Sequence, residues 1–244
     1  MFSTTTNPTP NITLYTSATP NSFKISIALE ELALPYTARA VNLTTQEQKE
    51  PWLLEYNPNG RLPTLTDHDT RVFESGAILL YLVQKYDPEG RISYKPEETP
   101  GYTEMLSWLM WQMGGLGPMQ GQAHHFTAFA PVRSSWGIER YTTETRRLYD
   151  VLNTRLTESP FLAGDRFTIA DIATYSWVRA SPNLLDFQLG EWPAIQRWHD
   201  GIAGREAVQR ALKVPGSSIT EDQFAEIVRE KRRVLMGWVE ADVR

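Results

Sequence analysis

The sequence predicts two domains, an α/β domain built on a mixed four-stranded sheet followed by an all-α domain. Strand and helix patterns alternate over residues 12–87, whereas only helical periodicity is present beyond them. A Gly/Pro/Glu-rich stretch, DPEGRISYKPEETPG, separates the two patterns. We therefore predict domains at 12–87 and 99–214, joined by a linker at 88–98.

The first domain has the predicted order β-α-β-α-β-β-α. Residues 12–15 suit a strand, and residues 22–34 repeat apolar side chains at the spacing of an amphipathic helix. Residues 36–43 can extend again, 44–56 suit a polar helix, and LPTLTDHDTRVF suits a hairpin that leads into a third helix. Alternating strands and helices imply parallel crossovers, and the hairpin makes the sheet mixed.

The second domain carries helical stripes, such as Met105, Leu109 and Met113 on one face. The chain ends have other patterns. Residues 1–11 are polar and interrupted by prolines, which predicts a disordered leader. Residues 215–244 place apolar side chains on one side, which predicts a C-terminal helical extension.

Composition excludes several classes of function. The 244 residues carry 24 basic and 29 acidic side chains, so we expect neither nucleic acid nor a membrane surface as a partner. The longest apolar run, residues 77–83, is too short to span a bilayer and no basic region opens the chain, which predicts a soluble cytoplasmic protein. The chain has no cysteine, so any thiol chemistry must use a thiol from a bound molecule.

A first candidate site lies at Thr19-Pro20-Asn21-Ser22, between the first strand and the first helix. Unpaired backbone N–H groups at a helix start favour an anion, so this loop could seat a thiolate or a phosphate. Asn21 or Ser22 could equally be a plain N-cap, since both residue types are preferred there.

A second candidate is the Leu62–Pro63 peptide bond, where a proline enters a strand. If this bond is cis, the Leu62 peptide group faces outward and can pair with an extended peptide ligand. Base rates favour an ordinary trans bond, and the sequence leaves both forms open.

A third candidate is Glu74-Ser75, at the start of the third helix. Ser75 and helix N–H groups can take the carboxylate of an amino acid, and Glu74 can take its ammonium group. The same residues also suit an ordinary capped helix start.

Three other motifs indicate structure. The glycines at 114–121 do not fit a phosphate-binding pattern and predict a break in a long helix. His124 and His125 are adjacent and diverge on a helix, so we predict no metal site. Thr168 and Asp171 have the spacing of a helix N-terminus, so we expect changes at Asp171 to affect folding.

In combination, these motifs resemble the glutathione transferase family. The chain is similar to bacterial nu-class enzymes that reduce disulfides, and to fungal transferases related to the yeast nitrogen-catabolite regulator. The resemblance covers residues 12–214 and implies a thioredoxin-like N-terminal domain, glutathione as a cosubstrate and a homodimer. It rests on the segments TPNSFKISIALEEL, NPNGRLPTL, FESGAILLYL, WQMGGLGPMQGQAHHF, IERY and FLAGDRFTIADIA.

The resemblance also implies roles for individual residues. It places Asn21, with Thr19 beside it, at the glutathione thiol. An amide cannot act as a base, so Asn21 would stabilise the thiolate by donating a hydrogen bond. The implied binding residues are Leu62 and Pro63 along the cysteinyl peptide, Glu74 and Ser75 at the γ-glutamyl end, Gln48, and Arg140 at a carboxylate.

Two positions depart from the family pattern. Glu50 stands where the nu-class pattern has a basic residue for the glycyl carboxylate. Ser22 replaces the usual glycine beside the thiol, which predicts a narrower thiol pocket.

The implied activity is thiol-disulfide exchange, in which a bound glutathione thiolate attacks a disulfide and a second glutathione completes the reduction. The expected partners are therefore glutathione or its disulfide and a small disulfide or electrophile. Two alternatives stay open: conjugation of glutathione to an electrophile, and a non-catalytic regulatory module that binds glutathione. Aromatic residues at Trp108, Trp111 and Trp136 fit the implied homodimer.

Overall fold

The computed structural model describes residues 9–185, 187–216, 226 and 230. Most of the predicted leader and of the predicted C-terminal extension therefore lies outside the described residues. The first half of the chain contains four strands and three α-helices: β1 (Ile12–Thr16), α1 (Pro20–Glu31), β2 (Tyr36–Ala40), α2 (Pro51–Leu54), β3 (Thr64–Asp67), β4 (Thr70–Phe73) and α3 (Ser75–Tyr86).

The four strands form one mixed sheet in the order β2-β1-β3-β4. Strand β1 runs parallel to β2 and antiparallel to β3, and β3 pairs antiparallel with β4. The predicted mixed sheet is confirmed. Its parallel pair comes from the β1-α1-β2 crossover, and its antiparallel edge comes from the hairpin.

The predicted polar helix at 44–56 is mostly wrong. Residues Glu47–Lys49 form a 3-10 turn, and α2 is a single helical turn. Pro51 disfavours helical geometry at the residue before it, and Glu50 is accordingly extended. The Asn42 side-chain oxygen accepts from the backbone N–H groups of Thr44 and Thr45 at 2.9 and 3.3 Å, which stabilises a turn in place of a helix.

Within the described residues, the second half is helical, as predicted. Residues 101–129 form one continuous rod, and the predicted break at the glycines is a π-helical segment, Gln112–Leu116, that widens the rod without ending it. The helices of this half are α4 (Gly101–Trp111), α5 (Gly117–His124), α6 (Ser135–Glu158), α7 (Ile169–Val178), α8 (Ser181–Leu185), α9 (Pro193–Ala203) and α10 (Glu206–Ala211), with a second π-helical segment at His125–Phe129.

A hydrophobic core crosses from one half of the chain to the other. Buried side chains of α1 and α3 belong to the same cluster as those of α4, α6, α7 and α9. Arg205, just before α10, holds Glu31 of α1 through two hydrogen bonds of 2.6 and 2.8 Å. The cleft between the two halves therefore has packed walls on both sides.

Asp171 has the structural position that the sequence indicates. It completes a capping box with Thr168 at the start of α7 and also accepts from the Trp198 indole at 3.0 Å. Burial raises the pKa of this carboxyl to about 6, although its hydrogen bonds oppose the shift. No helix in the described ranges is long and apolar enough to cross a membrane.

Candidate active site in the cleft between the two halves

A cavity of about 830 Å³ opens between the sheet domain and the helices α5 and α7. Its walls come from the loop after β1, the turns before α2, the loop before β3 and the start of α3. Seven of the eight predicted site residues line it: Thr19, Asn21, Gln48, Leu62, Pro63, Glu74 and Ser75.

The eighth predicted residue, Arg140, lies elsewhere. It is an exposed residue on α6 and lines neither of the two cavities in this cleft. Its role in binding a carboxylate stays a prediction.

The loop after β1 is held by Thr19, which is the N-cap of α1. Thr19 Oγ1 accepts from the backbone N–H of Ser22 at 3.3 Å and lies 3.0 Å from the Ser22 hydroxyl. Neither Asn21 nor Ser22 is the cap, so the side chain of Asn21 is free for another use. Ser22 is buried under the loop and lines neither cavity, which leaves the predicted narrowing of the pocket without support.

The Asn21 amide is oriented by Trp177 of α7. The Trp177 indole Nε1 donates to Asn21 Oδ1 at 2.9 Å. An indole nitrogen can only donate, so the amide oxygen must face Trp177 and the Nδ2 group must point the other way. Among the described residues, Nδ2 makes no hydrogen bond, and Asn21 lines both cavities.

Two glycines of α5 allow the Trp177 ring to pack closely against this helix. A Cβ atom would lie 3.4 Å from the Trp177 ring at Gly117 and 3.3 Å from it at Gly121. The His124 ring stacks on the same indole at a centroid distance of 5.9 Å, and burial lowers the pKa of His124 to about 3. Gly117 and Gly121 therefore form a flat surface against which the Trp177 ring packs, the glycine seat.

The Leu62–Pro63 bond is cis, which settles the alternative that the sequence left open. Asn57, a buried residue, supports the loop ahead of it by donating to the Arg61 carbonyl at 2.8 Å and to Thr64 Oγ1 at 3.0 Å. The Leu62 peptide is thus held on the cavity wall by a side chain that sequence reasoning missed.

Glu74 and Ser75 form the far end of the cavity. Glu74 precedes α3 with φ of 70°, a conformation that is rare outside glycine and concentrated at ligand sites. Its carboxylate lies 3.4 Å from Asn59 Nδ2, whereas Ser75 is buried as the first helical residue. Sequence reasoning missed this strained backbone, because side-chain patterns do not reveal φ.

Lys24 is the most unusual residue that sequence reasoning missed. It is only 1% exposed, and its Nζ donates to Ser75 Oγ at 3.2 Å and to Gln112 Oε1 at 2.6 Å. Burial lowers the pKa of its ammonium group to about 7, although the Glu74 carboxylate opposes the shift. The sequence does contain a signal, because a lysine stands between two apolar residues, Phe23 and Ile25, in the part of α1 that is buried.

A second cavity of about 570 Å³ adjoins the first. Asn21, Glu74 and Trp177 line both, so the two spaces share the Asn21 amide as a common wall. Most of the remaining wall of the second cavity comes from residues 101–129, including Gln112 and His125, and Lys24 of α1 also lines it. Two extended ligands can therefore meet at Asn21.

The polar groups of the site suit an organic ligand with amide and carboxylate groups. The buried Oε1 atom of Gln48 has no hydrogen-bond partner among the described residues, so it can accept from a ligand N–H. Lys49 and Arg61 add positive charge to the wall of the first cavity. Within the described part of the chain, no three histidine or acidic side chains cluster as metal ligands would.

Family comparisons agree with this architecture. The profile of the glutathione S-transferase N-terminal domain matches residues 10–84, and that of the C-terminal domain matches residues 122–206. The chain belongs to the glutathione S-transferase family of enzymes. The predicted fold class, a thioredoxin-like domain followed by an all-α domain, is confirmed.

The individual relatives confirm the predicted groups within the family. Disulfide-bond oxidoreductase YfcG of Escherichia coli is 44% identical over 209 residues, which cover 82% of this chain and 94% of YfcG. A glutathione transferase homolog from Lodderomyces elongisporus, with two GSH per subunit, has a TM-score of 0.81 at 38% identity and covers 84% of this chain and 99% of its own. The transferase URE2P6 from Phanerochaete chrysosporium, in complex with oxidized glutathione, has a TM-score of 0.79 at 36% identity, with coverages of 84% and 96%.

Proposed function

We propose that the protein is a glutathione-dependent thiol-disulfide oxidoreductase in which the Asn21 amide stabilises the thiolate of bound glutathione. The observation that carries the proposal is the Trp177–Asn21 hydrogen bond, which turns the donor end of the amide away from Trp177. The named relatives support the reaction class, since one is a disulfide-bond oxidoreductase and another was solved with oxidized glutathione.

The amide and the helix start together supply enough energy for the task. A hydrogen bond to a charged partner contributes about 1.5–3 kcal/mol, and a helix N-terminus adds about 0.3–1 kcal/mol. One pKa unit corresponds to about 1.4 kcal/mol, so the two contributions together lower a thiol pKa of about 8.5 by about one to three units. Much of the bound thiol is then ionised near neutral pH.

We propose one direction for glutathione in the first cavity. Its γ-glutamyl end meets Glu74 and Ser75, its cysteinyl peptide pairs with the Leu62 backbone, and Gln48 accepts an N–H. Lys49 lines this cavity and Glu50 does not, which supports Lys49 as the positive charge for the glycyl carboxylate in place of the basic residue that is absent at position 50.

The reaction balances with two glutathione molecules and no protein cysteine. The first thiolate attacks one sulfur of the disulfide, forms a mixed disulfide and expels the other sulfur as a thiolate, which takes up a proton. A second glutathione thiolate attacks the glutathione sulfur of the mixed disulfide, so that glutathione disulfide forms and the second substrate thiol leaves. The second cavity gives this molecule, or the incoming disulfide, a place beside Asn21.

Turnover tests the reaction class. We expect the purified protein to reduce a glutathione mixed disulfide efficiently and to conjugate an aryl halide poorly. The reverse ranking would establish conjugation as the activity. Negligible turnover in every thiol assay, together with a stoichiometric protein complex that survives Asn21→Ala, would establish a regulatory module.

A single substitution tests the role of the amide. Asn21→Ala should raise the pKa of the bound glutathione thiol by one to two units, because the thiolate loses its hydrogen-bond donor. Ultraviolet absorbance of the thiolate against pH measures this value. Affinity for S-methylglutathione, which cannot ionise at sulfur, serves as the control and should change little. An unchanged thiol pKa would contradict the mechanism.

We also propose a homodimer. Trp136 is 71% exposed and Val132 is 73% exposed, although large apolar side chains are usually covered. Trp108 and Trp111 are half-buried on α4. Light scattering at micromolar concentration should give twice the chain mass, and a monomeric mass would reject the dimer.

The proposed reaction places the protein in the cytoplasm, because the cytosolic glutathione pool is kept reduced. Cell fractionation should recover the protein with the cytosolic thiol enzymes, and recovery with an oxidising compartment would contradict this location.

A further inference from the structure

Lys24 is a buried charged group that the proposed chemistry does not use. Its ammonium nitrogen lies 2.6 Å from Gln112 Oε1, 3.2 Å from Ser75 Oγ and 3.3 Å from Met113 Sδ. An ammonium group has three N–H donors, and these three acceptors match them. The cleft therefore contains a complete socket for a charged lysine.

In the protein without ligand, burial makes the charged form of Lys24 less favourable than it is in water. Removing a charge from water is unfavourable, and burial accordingly lowers the pKa of Lys24 to about 7. The nearest counter-charge, Glu74, opposes that shift without cancelling it. Near neutral pH, charged and neutral forms of Lys24 therefore coexist.

Ser75 connects Lys24 to the first cavity. Its hydroxyl oxygen accepts from Lys24, and Ser75 is one of the residues that line the cavity, so the hydroxyl hydrogen can be donated to a ligand. The competing acceptor, Met113 Sδ, is weak and 3.6 Å away. A hydroxyl that accepts from an ammonium group is a stronger donor than an isolated hydroxyl.

We propose that Lys24 is a positioning residue that takes up a proton when the γ-glutamyl carboxylate of a ligand binds to Ser75, and that its charge then holds this carboxylate through the Ser75 hydroxyl. The inference rests on the proposed glutathione site. It adds the uptake of one proton to the binding equilibrium and assigns that proton to Lys24, which lies on the far side of Ser75 from the ligand.

Four other ionisable groups face this region. Glu74, Arg61 and His125 line the second cavity with Lys24, and the nearby His124 is kept neutral by burial, which lowers its pKa to about 3. Histidine is the side-chain type whose charge most often changes near neutral pH. His125 is therefore the group that a test must separate from Lys24.

Calorimetry with S-methylglutathione provides the test, because this ligand has no thiol proton to release. Binding at pH 8 is measured in two buffers that differ in ionisation enthalpy, which gives the number of protons taken up. We expect an uptake that approaches one proton per site at pH 8 and falls toward zero at pH 6, where Lys24 is already charged. This measurement needs only the unmodified protein.

Two variants assign the proton. Lys24→Met should abolish the proton uptake and weaken the binding of S-methylglutathione about tenfold, since the charge-assisted hydrogen bond from Lys24 to Ser75 is lost. His125→Gln should keep the uptake. Binding without proton uptake, or uptake that His125→Gln removes and Lys24→Met retains, would overturn the role of Lys24. Failure of S-methylglutathione to bind at all would instead overturn the proposed glutathione site.

Discussion

At the scale of single residues, the site depends on hydrogen bonds whose direction is fixed by chemistry. Trp177 can only donate, so Asn21 must present its oxygen to the indole. Rotating the amide by half a turn would set two donors against each other and lose that bond. In the proposed mechanism, the glutathione sulfur meets a donor that is already oriented, which is how a polar group contributes most to stabilising a charge.

Trp177→Phe tests this orientation, because phenylalanine keeps an aromatic ring on the glycine seat but has no N–H. We expect the pKa of the bound glutathione thiol to rise by up to about one unit and kcat for disulfide reduction to fall at neutral pH, with little change in KM for glutathione. Thiolate absorbance and steady-state kinetics measure these quantities.

The matched control is Trp192→Phe, which also removes an indole donor. The Trp192 indole donates to Asp150 Oδ1 at 2.7 Å, at a place outside the cleft. It should leave the thiol pKa unchanged. If Trp177 acts through Asn21, Trp177→Phe has no further effect on thiol pKa in an Asn21→Ala background. An equal effect in both backgrounds would show that Trp177 acts by another route.

At the scale of elements, periodicity predicted those that carry an apolar face. The stripe at 22–34 locates α1 to within a few residues, and the hairpin turn falls between Asp67 and Thr70 as expected. The polar segment 44–56 has no such face, and a local side-chain hydrogen bond and a proline decided its structure. Patterns report burial, and they are weak in a segment such as 44–56, where Leu53 is the only buried residue.

The same limit applies to the candidate site. Residues with a recognisable motif, such as Asn21 and Glu74, were found from the sequence, and the structure brings them to one cavity. Lys24 and Trp177 were missed, because each acts through a partner that is distant in the chain. Long-range contacts of this kind follow from the packing of the two halves, which local spacing does not contain.

The packing of α5 against α7 makes a prediction of its own. Gly121→Ala would place a Cβ atom 3.3 Å from the Trp177 ring, so the indole must shift by a few tenths of an ångström. We expect Gly121→Ala to raise the pKa of the bound glutathione thiol and to give no increase in the free energy of unfolding. Gly201→Ala on α9 is the control, because nothing lies within 4 Å of its Cβ. That change should raise the free energy of unfolding by about 0.5–1 kcal/mol, and the same gain at Gly121 would show that the seat is not tight.

At the scale of the whole molecule, the site exists because two halves share one core. The sheet domain supplies most of the groups of the proposed glutathione site, and the helical half supplies Trp177 and Gln112, which hydrogen-bond to Asn21 and Lys24. Neither half contains a complete site. Contacts far from the cleft that hold α1 against α10 therefore matter for chemistry as well as for stability.

Arg205 allows this coupling to be measured, since its guanidinium binds Glu31 at 2.6 and 2.8 Å and lies 4.2 Å from the centre of the Phe167 ring. Arg205→Ala leaves a nearly buried carboxylate without its partner, so we expect the free energy of unfolding to fall by about 1.5–3 kcal/mol. Because one core joins the halves, unfolding should stay a single transition, with tryptophan fluorescence and far-ultraviolet circular dichroism coinciding. Arg147→Ala removes an exposed pair with Glu144 on α6 and should cost less than about 0.5 kcal/mol. Two separate transitions in the unmodified protein would show that the halves fold independently and that the cleft is not held by a common core.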